Sequence, residues 1–112
     1  RGVESARTAL QRDRNARLLA EAPAAGGPIV VVTQHAPRVD RVPPALRAHP
    51  VAGLFASDLS GLMARRQIAL WVNGHIHARE DRVHGSGTRI VANPAGPLFT
   101  TPGFEDDCVV TV

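Results

Sequence analysis

Two short apolar runs, each followed at once by a histidine-bearing loop, constrain the fold of this chain more than any other feature. Residues 29–33 are β-branched throughout and bounded by turn residues, a pattern typical of a central strand covered on both faces. Residues 68–72 form a second apolar run that leads directly into the sequence NGHIH at 73–77. Because sites in open α/β sheets gather at the carboxyl ends of strands, the two loops converge if these strands are neighbours.

Two further segments predict helices. Residues 5–22 are rich in alanine and leucine, with Ser5 available as an N-cap. The side chains expected near one face of this helix are Ala6, Leu10, Leu18 and Ala22. Ser57 and Asp58 open a second, shorter helix that ends at the basic pair 65–66. The buried face expected for this second helix consists of Leu59, Leu62 and Met63.

The remainder of the chain predicts a long loop, a hairpin and a last strand. Residues 34–55 form a proline-containing loop of a length typical of functional or mobile segments. Residues 81–84 and 88–92 flank a Gly-Ser-Gly turn, as in a hairpin. Residues 108–112 are expected to form the closing strand, with Cys108 as a buried and inert thiol. The order of elements predicts an α/β fold with one mixed sheet of about four to five strands and two helices.

The charge, the apolar runs and the cysteine count of the chain indicate which classes of binding partner and which cellular compartment to expect. Its net charge is +3, and all 13 basic residues are arginine. These arginines are scattered and not arranged in a stripe interleaved with aromatics, so nucleic acid is not an expected partner. No apolar run approaches the roughly 18 residues that a membrane helix needs, so no membrane partner is expected either. The single cysteine excludes an intrachain disulfide and fits a reducing compartment, from which we expect a cytoplasmic protein.

The chemistry of the two loops points to a metal site. Neutral imidazole is the commonest protein ligand for zinc, and it also suits iron and manganese. His75 and His77 are two residues apart, so both rings can cooperate on one side of a short turn. Gly74 is expected to let the backbone turn tightly or approach a ligand closely. The loop after the first apolar run adds a third imidazole, His35.

These motifs resemble the C-terminal half of a calcineurin-like metallophosphoesterase. The resemblance runs through the segments IVVVTQHAP, FASDLSGLMARRQIALWVNGHIH and TRIVANPAG, and through the residues after Phe104. The Gly-His-x-His element and the Asn-Pro-x-Gly turn that begins at Asn93 are its most specific parts. The resemblance implies that residues 1–112 are a partial metallophosphoesterase domain. The family fold is a sandwich of two mixed sheets flanked by helices, with a two-metal centre at its loop edge.

The resemblance further implies a dinuclear site that holds manganese, iron or zinc. His75 would bind one ion together with the histidine that ends the IVVVT segment, and His77 would bind the other ion. The ions would activate a bridging water or hydroxide for in-line attack on a phosphoric ester and stabilise the leaving oxygen. Gly74 and Asn93 would shape the site, and no residue of this chain is assigned as catalytic.

Two departures from the family pattern bear on the site. Members of the resembled family that are close to this sequence usually have Thr-His-His where this chain has Thr33-Gln34-His35. Either His35 is therefore the ligand or Gln34 occupies the ligand position. The family motifs Asp-x-His, Gly-Asp and Gly-Asn-His, which supply carboxylates and the catalytic histidine, do not occur in the sequence. Among the acids present, only Glu80 and Asp81 lie near a histidine loop, and neither has an evident bridging arrangement.

Three functions are compatible with these observations. The first is the C-terminal portion of a metal-dependent phosphoesterase, inactive as this chain alone and completed by an N-terminal half or a second copy. In that case one apolar face of the sheet would lack its partner sheet, which favours association. The second is a non-catalytic metal- or phospho-ligand-binding remnant or interaction module. The third, arginine-mediated binding of nucleic acid, predicts an affinity that falls strongly with salt.

Overall fold

Four strands form one mixed sheet in the part of the chain that the structure describes. The computed structural model describes residues 13–21, 26–49, 56 and 58–112. The strands are β1 (Ile29–Val32), β2 (Ile68–Asn73), β3 (Glu80–Val83) and β4 (Arg89–Ala92). Their order across the sheet is β1-β2-β4-β3, with β1, β2 and β4 parallel and β3 antiparallel to β4. The predicted α/β class is confirmed, with one mixed sheet and two helices.

The second helix forms where its apolar spacing predicts it. This helix, α2 (Ser60–Arg66), buries Leu62 and Met63 against the sheet, as expected. The two arginines of its last turn lie where the helix dipole favours positive charge. It ends at Gln67, which adopts a left-handed conformation with φ of 51°. Ser57, expected to open this helix, lies outside the described residues.

The first helix, α1 (residues 13–21), presents a different face to the sheet from the one predicted. Leu19 and Ala20 pack against the core, whereas Leu18 is 57% exposed. The expectation that Leu18 lies on the buried face is therefore wrong. Successive helical residues are about 100° apart, so the face of α1 that packs against the core is rotated by about one residue from the predicted face. The other members of that expected face and its cap lie outside the described residues: Ser5, Ala6, Leu10 and Ala22.

One face of the sheet and the two helices enclose the main core. Trp71 lies at its centre on β2, fully buried, and is paired across the sheet with Val31 and Ile90. The buried members of this cluster are Val31, Leu62, Met63, Ile68, Trp71 and Ile90. Ile68 and Trp71 are three residues apart on β2 and belong to the same cluster, so β2 does not alternate strictly at its start, where the pairing with β1 shifts register.

The opposite face of the sheet is only partly covered. The apolar run of β1 predicts a central strand buried on both faces, and that prediction is wrong. β1 is at the edge of the sheet, and Val30 and Val32 are 44% and 74% exposed. On the inner strands of the same face, Leu70 and Val91 are buried. A β-branched run is compatible with burial on both faces, but only neighbouring elements can provide it.

The C-terminal segment crosses this second face and does not extend the sheet. Residues 108–112 pair with no described strand, so the predicted closing strand is wrong. Val109 is 87% exposed. Cys108, expected to be buried, is only half-buried. Cys108 and Val110 line a cavity of about 410 Å³ with apolar side chains of β2 and β4. Cys108 and Val110 therefore lie against a sheet face, and the segment forms no ladder of backbone hydrogen bonds with a described strand.

The predicted hairpin is confirmed. β3 and β4 pair antiparallel through a turn in which His84 N donates to Thr88 O at 2.8 Å and Gly87 has φ of 91°. Arg89 on β4 donates two hydrogen bonds of 2.8 Å to the Asp81 carboxylate on β3. These hydrogen bonds hold the pKa of Asp81 below its usual value, because they stabilise the charged form.

No helix within the described ranges is long and apolar enough to cross a membrane.

Candidate metal centre

The carboxyl ends of the three parallel strands bring the predicted site residues to one edge of the sheet. Gln34 and His35 follow β1, residues 74–77 follow β2, and Asn93 follows β4. The first two exit loops remain paired beyond the strands, since Thr33 N donates to Val72 O at 2.9 Å and Gly74 N donates to Gln34 O at 3.2 Å. The convergence expected from the sequence therefore occurs between neighbouring loops.

Two of the three predicted metal ligands lie next to each other. The ring centroids of His35 and His75 are 5.8 Å apart, with their planes tilted by 54°. An imidazole nitrogen coordinates zinc at about 2.0–2.1 Å, so two rings at this separation are close enough to share one ion. Gln34 lies instead over Gly74, with its side-chain oxygen 3.9 Å from where a Cβ on Gly74 would be. Of the two alternatives at the end of β1, His35 has the geometry of a partner for His75.

The turn that carries His75 is strained at the histidine itself. His75 has φ of 65°, and Ile76 N donates to Gly74 O at 2.7 Å, which closes a three-residue turn around His75. This γ-turn of positive φ is rare and strained for a residue with a side chain. Gly74, expected to make the tight turn, is not in the left-handed region, and a Cβ there would make only ordinary contacts. The residue that adopts the unfavourable positive φ in this turn is therefore His75 and not Gly74.

Buried Ile76 holds this turn in place between two exposed histidines. Ile76 belongs to a second apolar cluster with Ala36, Val42 and Ala56. His75 and His77, on either side of it, are both exposed. A second tight turn follows, because Ala78 N donates to Ile76 O at 2.7 Å. Burial of one apolar side chain thus presents both imidazoles of the Gly-His-x-His element to solvent.

The carboxylate at this edge of the sheet is already paired. Glu80 begins β3 opposite Ala92, the last residue of β4, and is buried. Its oxygens lie 2.9 Å from Nε of Arg41 and 2.9 Å from Nε of Arg82. Both are ion pairs at close range, although neither has the direction of a hydrogen bond. Glu80 therefore balances two guanidinium groups, and Asp81 on the same strand is held by Arg89.

The described residues fit part of one metal site and do not by themselves complete a dinuclear centre. His35 and His75 can contribute two neutral nitrogen ligands to a single ion. In the part of the chain that the structure describes, no three side chains of His, Cys, Asp or Glu are grouped as metal ligands would be. His77 is therefore not grouped with the pair, and no carboxylate joins them.

Asn93 connects the exit loop of β4 to the C-terminal segment. Its Nδ2 donates to Glu105 O at 2.6 Å, and its Oδ1 accepts from Glu105 N at 3.0 Å. Both halves of the side-chain amide are therefore used within the protein. Arg79 adds an ion pair of 3.2 Å to the Glu105 carboxylate. Asn93 therefore ties the exit loop of β4 to the backbone of Glu105.

Thr33 contributes to the site, although its sequence pattern assigns it only to the end of a strand. Its hydroxyl accepts a hydrogen bond of 2.8 Å from Nε1 of Trp71 and donates one of 2.6 Å to the backbone carbonyl of His35. The position of Thr33 directly before Gln34-His35 is the one sequence signal that could have identified it. Its partner in the core is 38 residues away in sequence, which no local pattern reveals.

The strain at His75 leads to a prediction about stability. His75→Gly is expected to be more stable than His75→Ala by about 1 kcal/mol, because glycine adopts positive φ without steric cost. Both variants lack the imidazole, so the difference isolates the backbone. Urea unfolding of the two variants followed by circular dichroism measures it. Equal stabilities, or a less stable glycine variant, would show that the turn is not strained at this residue.

No family model, curated protein or solved structure matches this chain. Its function is therefore inferred from its own residues and their geometry. The observations that bear on it are the paired histidines, the strained turn and the lack, among the described residues, of a third His, Cys, Asp or Glu side chain grouped with the pair.

Proposed function

We propose that this chain is the C-terminal portion of a metal-dependent phosphoesterase, in which His35 and His75 bind one divalent ion and His77 binds a second. The observation that supports this proposal best is the approach of the His35 and His75 rings to 5.8 Å. These residues follow different strands and meet at the carboxyl edge of the sheet, where sites of α/β proteins gather. The strained backbone of His75 also supports a functional role, because such strain concentrates at functional sites.

The chain supplies imidazoles to the proposed centre and would receive its carboxylates from elsewhere. Bound divalent ions would supply Lewis acidity and an activated nucleophile for hydrolysis of a phosphoric ester. Glu80 neutralises Arg41 and Arg82 and is not available for this purpose. We therefore expect the 112-residue chain to be inactive until a complementary segment, such as an N-terminal half, adds acidic ligands.

A second candidate is a non-catalytic module that binds a metal ion or a phosphorylated ligand. The ion pairs of Glu80 favour it, because they commit a buried carboxylate at this edge of the sheet to a structural role. In this case the ion would complete its coordination with water or with the ligand. The two candidates share the histidine pair and differ in whether a complementary segment restores hydrolysis.

Zinc binding tests the shared part of both candidates. Calorimetric titration of the chain with Zn²⁺ is expected to give one site that His35→Ala and His75→Ala each weaken. The loss of affinity should exceed the roughly tenfold to hundredfold effect of removing a residue that only supports a ligand. His49→Ala is the matched control, since His49 is an exposed histidine far along the chain from the strand ends that carry His35 and His75. Absence of heat and of any thermal shift with zinc or manganese would overturn the proposal.

Hydrolysis of a generic aryl phosphate in the presence of manganese tests the catalytic part. The chain alone is expected to release no phenolate above the level of its His75→Ala variant. Hydrolysis by the chain alone that His75→Ala abolishes would contradict the need for a complementary segment.

A further inference from the structure

We propose that Thr33 is a positioning residue that holds His35 beside His75, and that Trp71 orients the Thr33 hydroxyl for this task. The inference rests on the proposed function only in that it takes the histidine pair as ligands of one ion. It adds to that function two residues that touch neither the ion nor a substrate.

The direction of each hydrogen bond follows from the chemistry of the groups. The indole Nε1–H of Trp71 can only donate, so the Thr33 oxygen, 2.8 Å away, accepts from it. A hydroxyl carries one proton, which leaves that proton for the His35 carbonyl at 2.6 Å. The fully buried indole thus fixes the rotation of the hydroxyl, and the hydroxyl fixes the carbonyl.

His35 needs such support because its own side chain is exposed. Burial does not set its position, whereas the next residue, Ala36, is enclosed in the second apolar cluster. The Thr33 hydroxyl holds the backbone of His35 on one side, and Ala36 holds it on the other. The loop between the strand and the cluster is therefore fixed at both ends.

The partner histidine cannot easily adjust its own position. His75 is confined by a strained turn that Ile76 anchors in the same apolar cluster. A shift of the His35 backbone would therefore not be followed by His75, and the two rings would separate. Since metal ligation requires close placement of both nitrogens, a small displacement is expected to weaken binding.

The test compares Thr33→Val with Thr33→Ser and with a control at Thr100. Valine keeps the branched shape and removes the hydroxyl, whereas serine keeps the hydroxyl. Thr100 makes the same kind of bond elsewhere, because its Oγ1 donates to Pro97 O at 2.6 Å. Thr100→Val therefore controls for the loss of a threonine-to-carbonyl hydrogen bond as such.

Two measurements are made on each variant. The first is the nuclear Overhauser contact between the ring protons of His35 and His75 in metal-free protein, and the second is the affinity for Zn²⁺ by calorimetry. Thr33→Val is expected to lose the ring contact and to bind zinc about tenfold to a hundredfold more weakly, as removal of groups that support a ligand does. Thr33→Ser is expected to retain the ring contact and most of the affinity, and Thr100→Val to change neither.

The outcomes separate this inference from the proposed function. A folded Thr33→Val variant with an unchanged ring contact and zinc affinity overturns the inference. If the wild-type chain binds no zinc but the ring contact depends on Thr33, the proposed function fails and the positioning role stands. If Thr33→Val does not fold, Trp71→Phe decides, because it keeps an aromatic ring and removes the donor. An unchanged ring contact and zinc affinity in folded Trp71→Phe then overturn the inference.

Discussion

Replacement of Trp71 by alanine is expected to lower the free energy of unfolding by about 3–5 kcal/mol. Trp71 is fully buried at the centre of β2 and packs in the cluster that joins the sheet to both helices. Its removal leaves a cavity between Val31 and Ile90, its partners on the two flanking strands. Small domains are stable by only about 5–15 kcal/mol, so this single change removes a large part of the total. Urea denaturation followed by circular dichroism measures the difference.

Trp71→Phe is the matched control for this prediction. Phenylalanine fills most of the same volume and loses the hydrogen bond to Thr33, a contribution of about 1 kcal/mol. The phenylalanine variant is therefore expected to lie much closer to the wild type than the alanine variant. An alanine variant within about 1 kcal/mol of the wild type would contradict the placement of this indole in the core.

Gly96→Ala is the second substitution with a large expected effect. Gly96 has φ of 71°, and a Cβ at this position would lie 2.5 Å from Oγ1 of Thr101. Strain at positive φ and overpacking against a buried hydroxyl together are expected to cost about 2–4 kcal/mol. The change also threatens the hydrogen bond of 3.0 Å from Thr101 N to Ala95 O, which closes the loop after β4. Thermal unfolding monitored by circular dichroism measures this loss of stability.

Gly87→Ala separates the two causes of this effect. Gly87 also has positive φ, 91°, but a Cβ there would meet no atom within 4 Å. The loss of stability in Gly87→Ala therefore reports the backbone strain alone. Any additional loss of stability in Gly96→Ala reports the contact with Thr101. Thr101→Ala in the Gly96→Ala background should recover part of that excess. If the two glycine variants are equally destabilised, the steric part of the prediction is wrong.

The elements that could be predicted from the sequence are those whose pattern is local. The apolar spacing of Leu62 and Met63 identifies the buried face of α2, and the Gly-Ser-Gly turn identifies the hairpin of β3 and β4. The errors concern what surrounds an element. The valines of β1 and of residues 108–112 have the composition of buried strands, but β1 lies at an edge and the C-terminal segment crosses a face.

The candidate site, too, could be predicted from the sequence only in part. The sequence alone determined the histidines at the ends of two apolar strands, and parallel pairing of those strands then brings His35 to His75. Only the tertiary structure decided that strain falls on His75, that Glu80 is neutralised by Arg41, and that Trp71 supports the histidine loop through Thr33. The physical reason is that ligand type and the position of a histidine directly after an apolar run are properties of neighbouring residues along the chain. Hydrogen bonding, ion pairing and strain depend instead on residues that meet only after the sheet has formed.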